Sequence, residues 1–433
     1  MLAGFERRRG SPSHAAAESF LELAELARSA GAVVAAEVFQ ARPDVESSTL
    51  FGKGKVDELR DLAQATDSSV LIVDNELTPT QQRNLERICQ VRVIDRTQLI
   101  LDIFAARART AEGRLQVELA QLKYMLPRLA GQGIALSRLG GGIGTRGPGE
   151  TKLETDRRRI ATRIRKLEND LKRVRTSRGL HREKRAAVPV PVISLAGYTN
   201  AGKSTLFNRL CSAGVLADAR LFATLDPTIR AVQLPSRRRV LLSDTVGFVR
   251  NLPTTLVEAF RATLEEVAGA SLIVHVIDIS AEDAGAHVAE VFRVLTEIGA
   301  EKTQQILALN KADKVADQEP DSTVLAARLL AEAGRDIGIP AVLVSGLTGS
   351  GIPALLAAID RHIEFDTVEP VTFRIPLSDG ASIALLHQRG KVVKEDYDGS
   401  SCRIAVEAPQ SLRKRLARYL VAPRRSVENS VDK

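Results

Sequence analysis

The sequence predicts an α/β protein of about three domains, and three observations predict it. An apolar run followed by a glycine-rich loop lies near the middle of the chain, at residues 191–204. Further polar loops follow predicted strands downstream of it. A segment rich in lysine and arginine, with an apolar repeat of helical period, precedes it. Of the 433 residues, 44% are hydrophobic and 26% charged, as in ordinary globular proteins with sizeable cores.

The glycine-rich loop at 197–204 reads Gly-Tyr-Thr-Asn-Ala-Gly-Lys-Ser and directly follows the apolar run 191–196. Strand, G-x-x-x-x-G-K-S and helix in this order are typical of a phosphate-binding P-loop. The glycines let several backbone N–H groups point at a phosphate chain, and the following helix adds its positive end. We expect Lys203 to reach the β- and γ-phosphates and the Ser204 hydroxyl to ligate Mg²⁺. The predicted contacts of the loop are Gly197, Tyr198, Thr199, Asn200, Ala201, Gly202, Lys203, Ser204 and Thr205.

Two further segments follow in the order expected of nucleotide switches. The run 240–242 ends in Asp244-Thr-Val-Gly247, where the carboxylate would hold Mg²⁺ through water and the Gly247 N–H would contact the γ-phosphate. Between the two motifs, residues 222–228 are polar and irregular, as in a switch loop. Thr224 is the better candidate there for a Mg²⁺ ligand, and Thr228 is the second choice. The predicted nucleotide contacts are Phe222, Ala223, Thr224, Leu225, Asp226, Asp244, Thr245, Val246 and Gly247.

A third group of residues determines which base is bound. Asn310-Lys-Ala-Asp313 follows the apolar run 306–309. The Asp313 carboxylate can accept from both N1–H and the N2 amine of guanine, which adenine does not offer, and such a site rejects the analogue that lacks the donors. Ser345, Gly346 and Leu347, after the run 341–344, complete the base pocket together with Asn310, Lys311 and Asp313. The sequence therefore predicts a Ras-like P-loop GTPase domain that binds GTP and GDP with Mg²⁺ as cofactor.

The excess positive charge of the chain lies in one segment. The net charge is +8, but residues 151–185 contain 14 Lys and Arg against 5 Asp and Glu, so the rest of the chain sums to about −1. Apolar residues recur there every three or four positions, at Ile160, Ile164, Leu167, Leu171 and Val174. An upstream helix repeats the pattern at Leu115, Leu119, Leu122, Leu126 and Leu129. Because the stretch 140–149 between them is rich in glycine, we expect an antiparallel helical hairpin, roughly 40 Å long, with a glycine-rich tip.

A long basic arm with such a tip suits insertion into structured RNA, where phosphate contacts position the protein and shape completes recognition. The alternative is a solvated coiled coil whose charges only cover its surface. The Gly142-x-Gly144-x-x-Gly147 pattern is not a dinucleotide fingerprint, because no strand precedes it. The predicted RNA contacts are Gly141, Gly142, Gly144, Arg146, Gly147, Gly149, Arg157, Arg158, Arg163 and Arg165.

The flanking regions predict two smaller α/β domains. The first, residues 1–105, has strands expected at 32–35, 70–73 and 91–94 and helices at 19–30 and 80–89. At Gly52-Lys-Gly-Lys55 a turn is favoured over a phosphate-binding loop, because no Ser or Thr follows and no strand precedes. The last has an αββα-like pattern, with a strand at 403–406, a helix at 410–420 and a disordered tail at 426–433. The complete prediction is an α/β domain (1–105), a basic helical hairpin (106–187), a GTPase domain (188–363) and a small C-terminal α/β domain (364–433).

Composition also restricts the class of protein. No apolar stretch approaches the ~20 residues that span a bilayer, and the first residues do not resemble a secretory signal. Cys89, Cys211 and Cys402 are far apart and match no metal-binding spacing, so reduced thiols in the cytoplasm are expected. None of the six histidines lies in a ligand or triad pattern. His275, inside an apolar run, is expected in the core of a strand.

The chain closely resembles the HflX family of ribosome-associated GTPases. The resemblance is carried by 51–59 (Phe-Gly-Lys-Gly-Lys-Val-Asp-Glu-Leu), by 141–157 (from Gly-Gly-Ile-Gly-Thr-Arg to Glu-Thr-Lys-Leu-Glu-Thr-Asp-Arg), by the P-loop, and by 244–250 with 256–264. It implies a cytoplasmic monomer, partly ribosome-associated, that binds the large ribosomal subunit and its rRNA and, with GTP, splits stalled or idle ribosomes. It also implies a glycine tip directed at the peptidyl transferase centre. Peripheral membrane association is an open alternative.

One residue bears on the chemistry of hydrolysis. Phe248 follows Gly247 where many signalling GTPases have a glutamine that orients water, and phenylalanine cannot hydrogen-bond water. Hydrolysis is therefore expected to be slow alone, to use a group from a partner, or to use another residue such as Arg250. The rival functions are a protein-binding signalling switch, a ribosome assembly GTPase, and an ATP-driven RNA remodelling enzyme, although nothing in the sequence supports a second nucleotide site.

Overall fold

The computed structural model describes residues 1–8, 13–129, 148–186, 190–211, 228–250, 264, 266–315, 321–335, 337–363 and 368–421. In these ranges the chain forms three sheets, of four, six and three strands. The predicted α/β class is confirmed. Within the same ranges, every helix is too short or too polar to cross a membrane.

Four parallel strands form the N-terminal sheet, in the order β2-β1-β3-β4. Its strands are β1 (Leu2–Arg7), β2 (Glu37–Arg42), β3 (Val70–Val73) and β4 (Arg92–Asp95), and its helices are α1 (His14–Ser29), α2 (Lys53–Ala65), α3 (Pro79–Cys89) and α4 (Arg96–Arg107). The helix starts follow ordinary capping rules. Thr78, for example, forms a capping box with Gln81, which satisfies two backbone donors at the start of α3.

Two predictions for this region are wrong. The strand expected at 32–35 is not a strand; β2 begins at Glu37 and pairs with β1 along its whole length. Val33 is 88% exposed, and Val34 is the residue of this run that packs, partly buried, against the core. The turn expected at 52–55 is the start of α2, whose N-cap is Gly52. The Gly52 N–H donates to the Gln40 side chain at 3.0 Å, and burial of Val56 fixes the helix against the sheet.

The basic arm contains two helices, α5 (Ala111–Leu129) and α6 (Pro148–Ala186). Their predicted apolar seams pack together: Leu119, Leu167 and Leu171 are buried, with Leu115, Leu122 and Ile164 packed against them. Two ion pairs join the helices beside this seam, Arg163 to Glu118 at 2.7 Å and Lys123 to Glu168 at 3.0 Å. The antiparallel arrangement of α5 and α6 stays a prediction, as do the boundaries of the four predicted domains. The glycine-rich tip at 141–147 lies outside the described residues.

The opposite face of α5 belongs to the N-terminal core. Val117, Ala120 and Tyr124 lie in one apolar cluster with residues of α1 and α4. Arg128, near the end of α5, donates to the Leu77 carbonyl at 2.8 Å and pairs with Asp95 at 3.1 Å. The arm is therefore joined to the N-terminal sheet through a buried face and through a nearly buried ion pair.

The central sheet has the order β10-β9-β8-β5-β7-β6 and is parallel except at β6. Its strands are β5 (Val192–Gly197), β6 (Thr228–Gln233), β7 (Arg239–Asp244), β8 (Leu272–Asp278), β9 (Gln305–Asn310) and β10 (Ala341–Leu343), and its helices are α7 (Lys203–Cys211), α8 (Ala284–Glu297), α9 (Ser322–Glu332) and α10 (Ile352–His362). Because parallel strands end at one edge, the sheet brings the P-loop, Asp244, Asn310 and the loop after β10 together.

His275 lies in the core of β8, as predicted. It is 1% exposed and packs edge-on against Phe292, with ring centroids 5.6 Å apart. Burial lowers the pKa of the imidazole to about 3, so the ring is neutral. All three cysteines are free thiols, as expected.

The C-terminal sheet is antiparallel, in the order β11-β13-β12. Its strands are β11 (Val368–Pro376), β12 (Lys391–Asp398) and β13 (Ser401–Pro409), with helices α11 (Gly380–Arg389) and α12 (Gln410–Arg415). The structure has the predicted αββα order, preceded by the strand β11, which the sequence did not predict. The predicted helix at 410–420 ends at Arg415 and is followed by a 3₁₀ turn at Ala417–Tyr419, where the Tyr419 hydroxyl donates to Asp379 at 2.7 Å. The predicted disordered tail lies outside the described residues.

Candidate nucleotide-binding site

The P-loop joins β5 to α7 with close backbone approaches at both glycines. A Cβ on Gly197 would lie 2.3 Å from the Val276 carbonyl oxygen. Gly202 has a φ of +89°, and a Cβ there would lie 2.3 Å from the Asn310 amide nitrogen. Any larger residue would push the loop off the neighbouring strands, so the motif needs glycine at these two positions.

Lys203 lies at the centre of the loop. Its ammonium donates to the carbonyls of Gly197 at 3.0 Å and Tyr198 at 2.7 Å, and the side chain is buried. Burial lowers the pKa of Lys203 to about 8, and the Asp244 carboxylate opposes part of that shift. The arrangement holds a donor group where the motif predicts the β- and γ-phosphates.

The residues predicted to hold Mg²⁺ meet at the start of α7. The Ser204 hydroxyl donates to Asp244 Oδ2 at 2.8 Å, and Asp244 is 3% exposed. A hydroxyl beside a carboxylate is the oxygen donor set that Mg²⁺ prefers, so these residues fit the ion. Thr228, the second choice of threonine, lies opposite Asp244 in the pairing of β6 with β7. Thr224 and the other switch candidates at 222–226 lie outside the described residues.

The base pocket is held together by hydrogen bonds between its three loops. The Asn310 amide donates to the Ala201 carbonyl at 2.7 Å and accepts from the Gly346 N–H at 3.0 Å. The Ser345 hydroxyl donates to Asp313 at 2.5 Å. Asp313 is itself exposed, so its carboxylate is accessible to a guanine base. Lys311 pairs with Asp278 at 2.6 Å, a contact that the sequence did not predict.

The segment after β7 is joined to the P-loop by its main chain. The Thr199 N–H donates to the Phe248 carbonyl at 2.7 Å, and the Phe248 N–H donates to the Gly197 carbonyl at 3.1 Å. A Cβ on Gly247 would lie 2.9 Å from the Lys203 ammonium, so this backbone also passes close to the phosphate site. A shift of either loop therefore displaces the other.

Phe248 and two of the predicted contact residues direct their side chains elsewhere. Phe248 is 2% exposed and packs with Val246 in the apolar cluster that includes α1 and α4, so it cannot orient water. The Thr245 hydroxyl donates to the Leu195 carbonyl at 2.6 Å, which is a contact within the sheet. The Tyr198 ring faces the N-terminal domain, where its hydroxyl bonds to Glu22, so the predicted contact of this residue with nucleotide concerns its backbone.

A polar group, here called the α1 clasp, surrounds that ring; it consists of Glu18, Glu22, Tyr198, Arg250 and Asp283. The Tyr198 hydroxyl donates to Glu22 at 2.8 Å and accepts from the Arg250 N–H at 2.9 Å. The Arg250 guanidinium pairs with Glu18 at 2.8 Å and also with Asp283. Arg250 is thus bound between two carboxylates, and the alternative in which it orients water is not supported.

Sequence reasoning missed the α1 clasp. The only sequence signal was the spacing of Glu18, Glu22 and Glu25, which places three carboxylates on one face of α1. A cavity of about 400 Å³ lies beside these residues, between α1 and the outer face of the P-loop. Burial raises the pKa of the Glu22 carboxyl, against the opposing effect of Arg96. The Tyr198 ring also stacks on His287, with centroids 3.8 Å apart.

The predicted RNA contacts divide into four groups. Arg157, Arg158 and Arg165 are exposed on α6. Arg163 is half-exposed, but both its Nε and Nη2 donate to Glu118, so its charge is matched within the arm. Gly149 lies in the first turn of α6. The remaining predicted contacts, Gly141, Gly142, Gly144, Arg146 and Gly147, lie outside the described residues.

Three protein-family models match successive parts of the chain. A model described as GTP-binding GTPase N-terminal matches residues 17–105, and one described as GTP-binding GTPase middle region matches residues 107–185. A model described as 50S ribosome-binding GTPase matches residues 192–311. Together the three models cover most of the chain. The third includes the P-loop, Asp244 and Asn310 and ends at Lys311, before Asp313 and the loop of Ser345.

Curated relatives match over nearly the full length. The chain is 45% identical over 405 residues to GTPase HflX of Caldanaerobacter subterraneus subsp. tengcongensis, covering 94% of this chain and 91% of the relative. It is 43% identical over 385 residues to GTPase HflX of Escherichia coli K12, covering 88% of each. A solved GTP-binding protein from Sulfolobus solfataricus in complex with GDP is similar at 24% identity, with a TM-score of 0.44, over 83% of this chain and 97% of that one.

The base pocket generates the first prediction. Asp313→Asn replaces an acceptor pair by one acceptor and one donor, so guanine loses a partner and xanthine gains one. We expect the ratio of GTP affinity to XTP affinity to fall by about two orders of magnitude, measured by competition with a fluorescent nucleotide. Lys314→Gln, on the exposed face of the same turn, is the control and keeps the wild-type ratio. An unchanged ratio in Asp313→Asn would refute the assignment of Asp313.

The second prediction follows from the lowered pKa of Lys203, which is about 8 without nucleotide. Phosphate raises the pKa again, so binding above that value must take up a proton, while binding below it need not. Calorimetry of GDP binding in two buffers of different ionisation enthalpy should show uptake of about 0.8 proton near pH 8.5 and about 0.1 near pH 7. Equal proton uptake at both pH values would contradict a lowered pKa of buried Lys203 in the nucleotide-free protein.

Proposed function

Because the chain belongs to the HflX family of GTPases, whose members bind and hydrolyse GTP, we propose that it binds the large ribosomal subunit in its GTP state and separates stalled or idle ribosomes into subunits. The middle of the chain matches the 50S ribosome-binding GTPase model, which supports this choice of partner. A factor of this kind works in the cytoplasm, where ribosomes are.

The basic arm is the observation that carries the proposal. Its helix α6 presents exposed arginines at 157, 158 and 165 along a segment whose net charge is +9, in a chain otherwise close to neutral. RNA binding depends on cations that neutralise phosphates, and a localised excess of exposed arginines on one helix supplies them. A signalling switch that binds only proteins has no need of such an excess.

Phosphate binding, base selection and Mg²⁺ binding each have a residue suited to them. Lys203 donates to the phosphates, and Asp313 selects guanine. Ser204 and Asp244 would hold Mg²⁺, which supplies positive charge against the phosphate oxygens. The remaining requirement is an oriented water, and neither Phe248 nor Arg250 has a side chain placed to supply it. The partner would therefore complete the hydrolytic site.

Contacts within the chain support a link between the nucleotide and the arm. Phe248 and Tyr198 share an apolar cluster with α1, α4 and the inner face of α5. This cluster therefore forms a continuous set of packing contacts from the P-loop and the segment after β7 to α5, the first helix of the arm. A change at the γ-phosphate would reach the arm by repacking that cluster, and binding of the arm to RNA would act in the reverse direction.

The third prediction concerns turnover. Purified large subunits should raise the rate of GTP hydrolysis well above that of the protein alone, because they supply the missing group. Lys203→Ala and Ser204→Ala should abolish hydrolysis in both settings, since they remove the groups that hold phosphate and Mg²⁺. Phosphate release at saturating GTP is the measurement. Equal wild-type rates with and without subunits would contradict the proposed role of the partner.

The fourth prediction concerns the arm. Replacing Arg157, Arg158 and Arg165 together by Gln should weaken binding to large subunits and leave GTP affinity unchanged. The slope of log affinity against log salt should become shallower by about one unit for each phosphate that the variant no longer neutralises.

The matched control is the double variant Arg163→Gln and Glu118→Gln, which removes the ion pair between α6 and α5 without changing net charge. It should keep the wild-type salt slope. If the triple variant has the slope of the control while remaining folded by circular dichroism, the arm does not contact phosphates.

A further inference from the structure

The hairpin of β6 and β7 ends in a cluster of arginines on the GTPase domain. Residues 234–239 read Leu-Pro-Ser-Arg-Arg-Arg and are here called the arginine turn. Between residues 229 and 243 there are four arginines and no acidic residue. Arg237 and Arg239 are exposed and take part in no ion pair with the described residues.

The arginine turn is held in one shape. The Arg237 N–H donates to the Leu234 carbonyl at 2.8 Å, and the Leu234 N–H donates to the Arg238 carbonyl at 2.9 Å. Asp360 of α10 accepts from both the N–H of Ser236 at 2.8 Å and its hydroxyl at 2.7 Å. Leu234 is itself buried in the core of the domain. The guanidinium groups are therefore carried on a fixed support, so ordering the turn on binding costs little conformational entropy.

We propose that the arginine turn is a second surface for the phosphate backbone of RNA, separate from the basic arm; this inference rests on the proposed ribosomal partner. Clustered arginines on a rigid turn match phosphate oxygens, with which guanidinium forms two-point hydrogen bonds. A protein partner is less well matched, because protein interfaces have an apolar centre. Within the described hairpin, no large hydrophobic side chain is exposed.

The hairpin also connects this surface to the nucleotide. Gln233 and Arg239 pair beside the turn, and Thr228 and Asp244 pair at the far end of the same strands. The distance along the six residues is roughly 20 Å. Asp244 accepts a hydrogen bond from the Ser204 hydroxyl at the predicted Mg²⁺ site. RNA bound at the turn would therefore contact the strand β7, which ends at that site. The arginine turn thus gives the GTPase domain its own contact with RNA.

The test uses the full-length protein and purified large ribosomal subunits. The variant Arg237→Gln with Arg239→Gln removes two charges and leaves Arg238, which takes part in an interaction within the chain. The control is Arg28→Gln with Arg87→Gln, two exposed arginines of the N-terminal domain, which changes net charge equally. The conservative variant Arg237→Lys with Arg239→Lys keeps the charge.

We expect the Gln variant of the turn to bind subunits at least about fivefold more weakly, with a salt slope shallower by about one to two units. The control and the Lys variant should keep the wild-type slope, and hydrolysis by the protein alone should be unchanged in all. The inference is wrong, and the proposed function stands, if the wild type binds subunits and the arm variant weakens binding, but the turn variant keeps the wild-type salt slope. If the wild type does not bind subunits, both fail.

Photo-crosslinking identifies the class of partner. A photoreactive amino acid in place of the exposed Gln233, beside the turn, should form adducts with ribosomal RNA in the complex with large subunits. Adducts with ribosomal proteins alone would overturn the assignment of RNA phosphate, even if the salt slope had changed.

Discussion

The buried charge of Lys203 is the constraint on which the rest of the site depends. An ammonium group removed from water is costly unless its N–H donors have partners, and here two main-chain carbonyls accept two of its three hydrogen bonds. Those carbonyls point inward only while the P-loop keeps its shape. The loop is held on the base side by Asn310, on the switch side by the main chain of Phe248, and on the outside by the hydroxyl of Tyr198. Each of these anchors belongs to a different functional part of the protein.

This arrangement explains why the chain has an aromatic residue at 198 and an apolar one at 248. Neither side chain serves the chemistry directly. Both turn away from the phosphates and join the core that contains α1 and α4, so the nucleotide loops are built into the N-terminal domain. The consequence is a GTPase in which the segment after β7 is held by packing, and in which the side chains of Phe248 and Arg250 are engaged away from the place where water would be oriented. Such a design suits an enzyme that hydrolyses GTP when a large partner completes the site.

The sequence predicted which loops meet at the edge of the central sheet, because each motif lies at the end of a strand, where strand order determines its neighbours. Ser204 meets Asp244, and Asn310 meets the loop of Ser345, as expected. The α1 clasp was missed because Tyr198 and Glu22 are 176 residues apart, and local pattern carries no information on how distant segments dock. The position of β2 was missed for a related reason: the apolar run at 32–35 looked like a strand, whereas pairing with β1 selected residues 37–42.

The central claim is that GTP directs this protein to separate ribosomal subunits. The most direct measurement is a sucrose-gradient profile of intact ribosomes incubated with the protein and a non-hydrolysable GTP analogue, with GDP in a parallel sample. The account predicts that the intact-ribosome peak decreases with the analogue, that free subunits increase, and that the protein sediments with the large subunit. An unchanged ribosome peak, with the protein at the top of the gradient in both samples, would contradict it.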